Sequence, residues 1–347
     1  MSRFPIVRAQ IVLAMFVVSA ALGVDGQAFE IGIIDFYGVR TVSASDVRGA
    51  LTFKEGDTIV IADDKPRTIR TSEERLARLP GIAHAHIEVV CCDSGRVTLF
   101  VGVQERGASD LRLRPAPAGA VRLPADVVLA GEEYQKAHTS AVQRGDTAED
   151  RSKGHSLMHD PAARTIQESF VVFAKRDLTL LRKVLRSSSD PAHRALAAQV
   201  LGYAEDKQSV VDDLVRGMSD PDGGVRNNAM RALMVFGEAA PGPNGSVPRI
   251  PLRPFIELLH SLAWTDRNKA SGALMALTAR RDQGSLAELR KSALTPLVEM
   301  ARWKSAGHAF PAFMILARIA GYSDEVARGF WENGNREVVI KTTMGGQ

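Results

Sequence analysis

Cysteine is scarce: Cys91 and Cys92 are the only two among 347 residues, and they are neighbours. Such a pair cannot staple distant segments, so no disulfide framework holds the chain together. Adjacent strand residues point to opposite faces, which predicts one buried and one exposed thiol; a vicinal disulfide or a bond to another chain are the other forms open to the pair. Long apolar runs are also missing, with one exception. Ile11 to Val24 is apolar over 14 residues, short of the roughly 20 needed to cross a bilayer. It follows Arg3 and Arg8 and precedes the small residues Gly23, Gly26 and Ala28, the layout of a secretory signal peptide, assigned to residues 1–28. An uncleaved anchor is the alternative. No cysteine follows the run to carry a lipid.

Charge of one sign is lacking as well. The 44 Lys+Arg against 40 Asp+Glu leave +4, spread nearly evenly along the chain. Nucleic-acid binding needs clustered basic residues to replace counterions, and that class of partner is set aside. The serine-nucleophile, phosphate-loop and dinucleotide signatures do not occur. His84, His86 and Cys92 fall on one face of a strand, but their spacing matches no strong zinc signature. His155 and His159 have helical spacing, yet Gly154 and Pro161 leave little helix to present them. The expectation is a non-enzyme with no catalytic residue, cofactor or metal.

From residue 29 to 106 the sequence changes period several times. "IGIIDFYGV" reads as a strand ending at Gly38. "SASDVRGALTF" reads as a helix capped by Ser45, and "TSEERLARLPGI" as a second one capped by Thr71 or Ser72 and stopped at Pro80-Gly81. "AHAHIEVVCC", a turn at "DSGR" and "VTLFVGVQE" make a hairpin. The opening "IGIIDFYGVRTVS", the passage "RLARLPGIAHAHIEV" and the closing "GRVTLFVGVQE" resemble a polypeptide-transport-associated (POTRA) domain, of the kind found in bacterial division and outer-membrane assembly or secretion proteins. The resemblance implies an α+β unit of order β-α-α-β-β that binds a partner by lending a sheet edge, here the strand that holds Ile87, Val89 and Cys91. This chain departs from the better-known relatives in having one such unit and no membrane β-barrel after it.

Residues 107–154 read as a linker with a helix through Val127 to Val142, and Arg144-Gly145-Asp146 as a chance tripeptide in it. From 155 to 333 the pattern is helical. Asp160-Pro161, Asp190-Pro191 and Asp220-Pro221 recur at a spacing of 30. Asp is a good N-cap and Pro suits the first helical position. Each pair is followed by an arginine, at Arg164, Arg194 and Arg226, and then by an apolar helix. "SVVDDLVRGM" between the last two supplies Val211, Leu214, Val215 and Met218 on one face. A helix pair of this kind cannot bury its apolar faces alone, so neighbours stack into an α-solenoid. These units resemble short HEAT-like repeats, in which the aspartates and arginines would serve capping and repeat-to-repeat ion pairs. Beyond Gly237 the array becomes irregular, with a Pro/Gly-rich insertion and further helices at 254–264, 267–280, 285–303, 309–320 and 323–331, before a tail at 334–347 whose closing "GGQ" frays.

The two resemblances together predict an exported periplasmic or envelope scaffold, peripheral to the inner or outer membrane. One envelope protein would dock on the N-terminal sheet edge and a second on the helical array, with Trp264 and Trp303 as aromatic anchors wherever they are exposed. A HEAT-like lyase or prosthetic-group protein and an accessory subunit of a secretion or division assembly are the alternatives.

Overall fold

The computed structural model describes residues 26–61, 65–93, 95–108, 111–239 and 247–345. Most of the expected signal segment lies outside these residues, but Gln27 and Ala28 pair with Ile61 and Val60 and so belong to the first strand.

The N-terminal unit runs β1 (Gln27–Tyr37), α1 (Ala44–Gly49), β2 (Thr58–Ile61), α2 (Arg67–Ala77), β3 (Ile82–Asp93) and β4 (Arg96–Glu105). The sheet order is β2-β1-β4-β3, with β1 and β4 parallel and the other pairs antiparallel. The expected order of elements is present with one addition, the short β2. The caps differ from expectation. Ser43, rather than Ser45, accepts from the Asp46 N–H at the start of α1. Helix α2 begins after Pro66, and Ser72 lies inside it, fully buried, donating to the Thr68 carbonyl at 2.9 Å and accepting from the Thr52 N–H at 3.0 Å.

The alternation of β1 and β4 explains how the sheet is used. Ile34 of β1 and Val97, Leu99, Val101 and Val103 of β4 face α1 and α2 and form one core. Tyr37 and Phe100 point the other way and join the core of the helical half. Strand β4 is therefore buried on both faces, which is why "VTLFVGV" reads as a continuous apolar run rather than an alternating one. Two glycines permit the packing. A Cβ on Gly102 would lie 2.3 Å from the Tyr37 ring, and Gly38, at φ +80°, would place one 1.9 Å from the Val103 carbonyl oxygen.

The helical half contains α3 (Ala125–Gln143), the small strands β5 (Glu149–Asp150) and β6 (Leu157–Met158), then α4 (Pro161–Arg176), α5 (Leu178–Ser187), α6 (Pro191–Leu201), α7 (Gln208–Gly217), α8 (Gly223–Glu238), α9 (Arg253–Leu258) and α10 (Trp264–Leu277). It ends with α11 (Gln283–Ser292), α12 (Leu294–Ala301), α13 (Ala306–Ile319), α14 (Asp324–Glu332) and α15 (Arg336–Gly345). Helices α4, α6, α8, α10 and α13 stack as one row, with α5 and α7 in a second row beside them. The helix expected over 285–303 is divided at Ala293 into α11 and α12.

Two segments differ from expectation. The connector is not free: the Arg114 N–H donates to the Ser219 carbonyl at 2.7 Å, Gly119 pairs with the 187–189 turn, and α3 lies against α4 and α6. Arg144 is tied to Asp160 at 2.6 Å, which makes the Arg-Gly-Asp tripeptide the closing turn of α3. The tail beyond residue 333 is a further element: it forms α15, which packs on α13 through the buried Val339, Ile340 and Thr343, while the last two residues of "GGQ" lie outside the described residues. Residues 240–246 of the Pro/Gly-rich insertion lie outside the described residues.

Candidate functional site

Strand β3 is the outermost strand of the sheet, so one row of its backbone groups has no neighbouring strand. Of the three residues singled out on it, Ile87 is buried in the core beneath α2, while Val89 and Cys91 are half-buried. Cys91 is disulfide-bonded, which overturns the expectation of two free thiols. The edge also carries a polar network that the sequence pattern did not single out. Glu73 of α2 reaches across to accept from the Ile87 N–H at 2.7 Å. Its Oε1 also takes Lys65 Nζ at 2.6 Å and lies 3.4 Å from His86 Nδ1, and Glu88 lies 3.3 Å from the other His86 nitrogen.

Opposing forces set the charges of this network. Burial works to raise the Glu73 pKa, but hydrogen bonds from His86, Lys65 and Ile87 override it and hold the carboxyl at about 2. Bonds to Glu73 and Glu88 push His86 up to about 9, against its burial. At neutral pH Glu73 is therefore a carboxylate and His86 a cation, and the carboxylate occupies the position that an added strand's carbonyl would take. Among the described residues no group of three or more His, Cys, Asp or Glu could hold a metal ion.

Trp264 and Trp303 are not on the surface. They are 3% and 2% exposed and lie where the sheet meets the helices. Phe100 stacks on Trp264 with ring centres 4.7 Å apart and meets Trp303 edge-on at 5.0 Å, with His308 edge-on to both Phe100 and Trp264. The Trp303 Nε1–H donates to the Phe36 carbonyl at 3.1 Å. They are anchors between two parts of one chain, and the expectation of a surface hot spot fails on their burial. Polar contacts reinforce this seam. Asp35 accepts from the Lys304 and Ser305 N–H groups at 2.8 and 2.9 Å, so a carboxylate from β1 caps the start of α13. Burial is the largest influence on Asp35 and holds its carboxyl above the usual range. Glu299 joins the Gly38 N–H at 2.8 Å to Arg267 at 3.0 Å, and the Tyr37 hydroxyl donates to the Leu262 carbonyl at 2.6 Å.

The Asp-Pro residues divide into two roles. Asp160 and Asp190 cap α4 and α6, with Pro161 and Pro191 in the first turn. Asp220 does not cap α8: the helix starts two residues later, after Asp222, which accepts from the Val225 N–H at 3.0 Å. Pro221 accordingly lies outside the helix. Asp220 instead takes both ends of the buried Arg194 guanidinium at 2.8 and 2.9 Å. Arg226 repeats the two-ended arrangement on Asp266, while Arg267 reaches Glu299 through Nη1 alone. Each of these arginines also donates to a carbonyl six residues back, at Ser188, Asp220 and Ser261. The structural equivalents are therefore Asp190 and Asp222, 32 residues apart, which places Arg194 and Arg226 each four residues after its helix cap. Arg164 stands apart from the ladder, near Glu168 at 3.3 Å and Asp150 at 4.0 Å.

Comparison with family models bears on part of the helical half. Residues 178–243, from α5 through α8, match the family model of HEAT repeats. No curated protein matches the chain. Among solved structures, a designed armadillo repeat protein in complex with the peptide (KR)4 is similar at 15% identity and a TM-score of 0.38, over 63% of this chain and 96% of its own. The chain thus carries a helical repeat array joined to a mixed sheet unit, a scaffold type suited to protein–protein interaction.

Proposed function

We propose that the protein is an exported envelope scaffold whose N-terminal unit is POTRA-like and docks a partner strand on the outer edge of β3. The helical array offers a second surface for another envelope protein. The observation that carries this reading is the edge itself: β3 ends the sheet, and its Ile87 N–H is satisfied by a side chain, which an incoming backbone carbonyl can replace. The parallel β1–β4 pair flanked by antiparallel β3 supports the POTRA-like assignment, and the disulfide-bonded Cys91 supports an oxidising compartment.

A point substitution isolates the edge better than deleting the sheet unit, since deletion would uncover Trp264 and Trp303. The suitable variant is Val89→Pro, since Val89 presents its N–H to the same side as Ile87 and proline is tolerated on an edge strand. In-cell crosslinking followed by mass spectrometry is expected to lose one specific envelope partner in Val89→Pro while the melting temperature and solubility hold. Retention of every crosslink by a folded Val89→Pro protein counts against edge docking, and cell fractionation that places the chain in the cytoplasm counts against export.

A further inference from the structure

Buried polar atoms in folded chains nearly always have partners, so the exceptions need a cause. Among the described residues three buried side-chain atoms have none: Asn227 Oδ1, Trp264 Nε1 and Asn268 Oδ1. All three belong to α8 and α10, the neighbouring helices locked together by Arg226 and Asp266. Beside them on α10 is Lys269, only 5% exposed, whose ammonium makes no hydrogen bond or ion pair among the described residues. A lysine this buried is almost always paired.

The charges around Lys269 come from β5 and α8. Arg231 bonds Glu149 and Ser156 through Nη2 alone, which leaves its Nε and Nη1 without protein partners among the described residues. The Arg231 side chain is 27% exposed. Arg151 is fully engaged, on Glu149 and on Glu238 at 2.6 Å. Three cations therefore share two carboxylates, and one positive charge is uncompensated. Its two sources of free donors, Arg231 and Lys269, lie on adjacent helices. Counting from the Arg226–Asp266 contact, residue 231 is five positions on and residue 269 three, an axial offset of about 3 Å at 1.5 Å per residue.

We propose that Arg231 and Lys269 form a binding site for a carboxylate on the face of α8 and α10 that carries the β5–β6 hairpin. A single negative charge fits because it balances the cluster, whereas a dianionic phosphate would meet Glu149 as an uncompensated repulsion. The planar carboxylate also suits the guanidinium edge. Burial, followed by the nearby Arg231, pushes Lys269 down to about 7, so the empty site resolves part of its imbalance by shedding a proton. The occupant is the carboxylate of a small acid or the C-terminal carboxylate of a peptide. The site stands independently of strand docking on β3.

The test is reductive methylation of the full chain read by mass spectrometry at Lys269, in acetate against chloride at equal ionic strength, together with thermal shifts. Acetate at ten times its Kd is expected to slow Lys269 methylation about tenfold and to raise the melting temperature. Lys269→Met, which leaves the remaining charges of the cluster balanced and should fold at least as well, is expected to lose the acetate response. A tripeptide acid that protects where its amide does not identifies a peptide carboxylate as the better occupant. Equal methylation in acetate, chloride and peptide acid overturns the site, and so does equal protection by the peptide amide.

Discussion

At the scale of single residues, position in the sheet and charge state are coupled through His86. Its folded pKa of about 9 exceeds the ordinary value of 6.5 because Glu73 and Glu88 favour the charged ring. A raised pKa adds stability that is fully present below about 6.5 and disappears as pH rises through about 9. His86→Gln is therefore expected to melt at a lower temperature than the parent at pH 6 to 7, with the two curves converging above pH 9. A gap of constant size across that range, measured by circular dichroism, would show that the imidazole acts by packing alone. None of this was legible in the sequence, where His86 invited comparison with metal ligands. Its partners Glu73 and Lys65 are 13 and 21 residues away, and only the fold of α2 over β3 brings them together.

At the scale of elements, the helix row is held by the arginine ladder as well as by apolar faces. Arg194 is 2% exposed and its partner Asp220 fully buried. Removing one member of such a pair strands a charge in the interior and costs about 3–5 kcal/mol, whereas replacing both with apolar residues is far milder. Arg194→Ala is expected to lower the unfolding free energy obtained from urea denaturation by about 3–5 kcal/mol, and a combined Arg194→Met, Asp220→Leu chain to recover most of it. If the double replacement is no better than the single one, the pair contributes direct attraction rather than mere avoidance of an unpaired charge. The sequence drew attention to these residues through the Asp-Pro recurrence but misassigned Asp220 as a cap. The reason is local: Asp220-Pro221 and Asp222 are equally good helix starts by composition, and Asp220 is drawn away by Arg194 from the preceding repeat.

At the scale of the whole molecule, the sheet and the helices act as one body. The Phe100, Trp264, Trp303 and His308 cluster, with the Asp35 and Glu299 hydrogen bonds, joins residues more than 160 positions apart. Calorimetry is expected to show a single cooperative transition. A chain lacking residues 29–106 should melt earlier and self-associate through the uncovered tryptophans, as read by light scattering. Two separate transitions, or a truncated chain that melts at the parent's temperature as a monomer, would mean that the seam is a weak contact between independent units.

Local pattern alone determined the kinds of elements and their order: the mixed sheet unit, the hairpin and the repeated helix pairs. Each of these follows from periodicity, caps and composition within a window of a few turns. The tertiary structure decided which faces are free. Trp264 and Trp303, suspected of reaching outward, close an internal seam, the connector packs against the repeats, and the tail forms a helix with a buried face. The unpaired ammonium of Lys269 is equally invisible in sequence, because whether a buried charge has a partner depends on side chains from separate elements meeting across space.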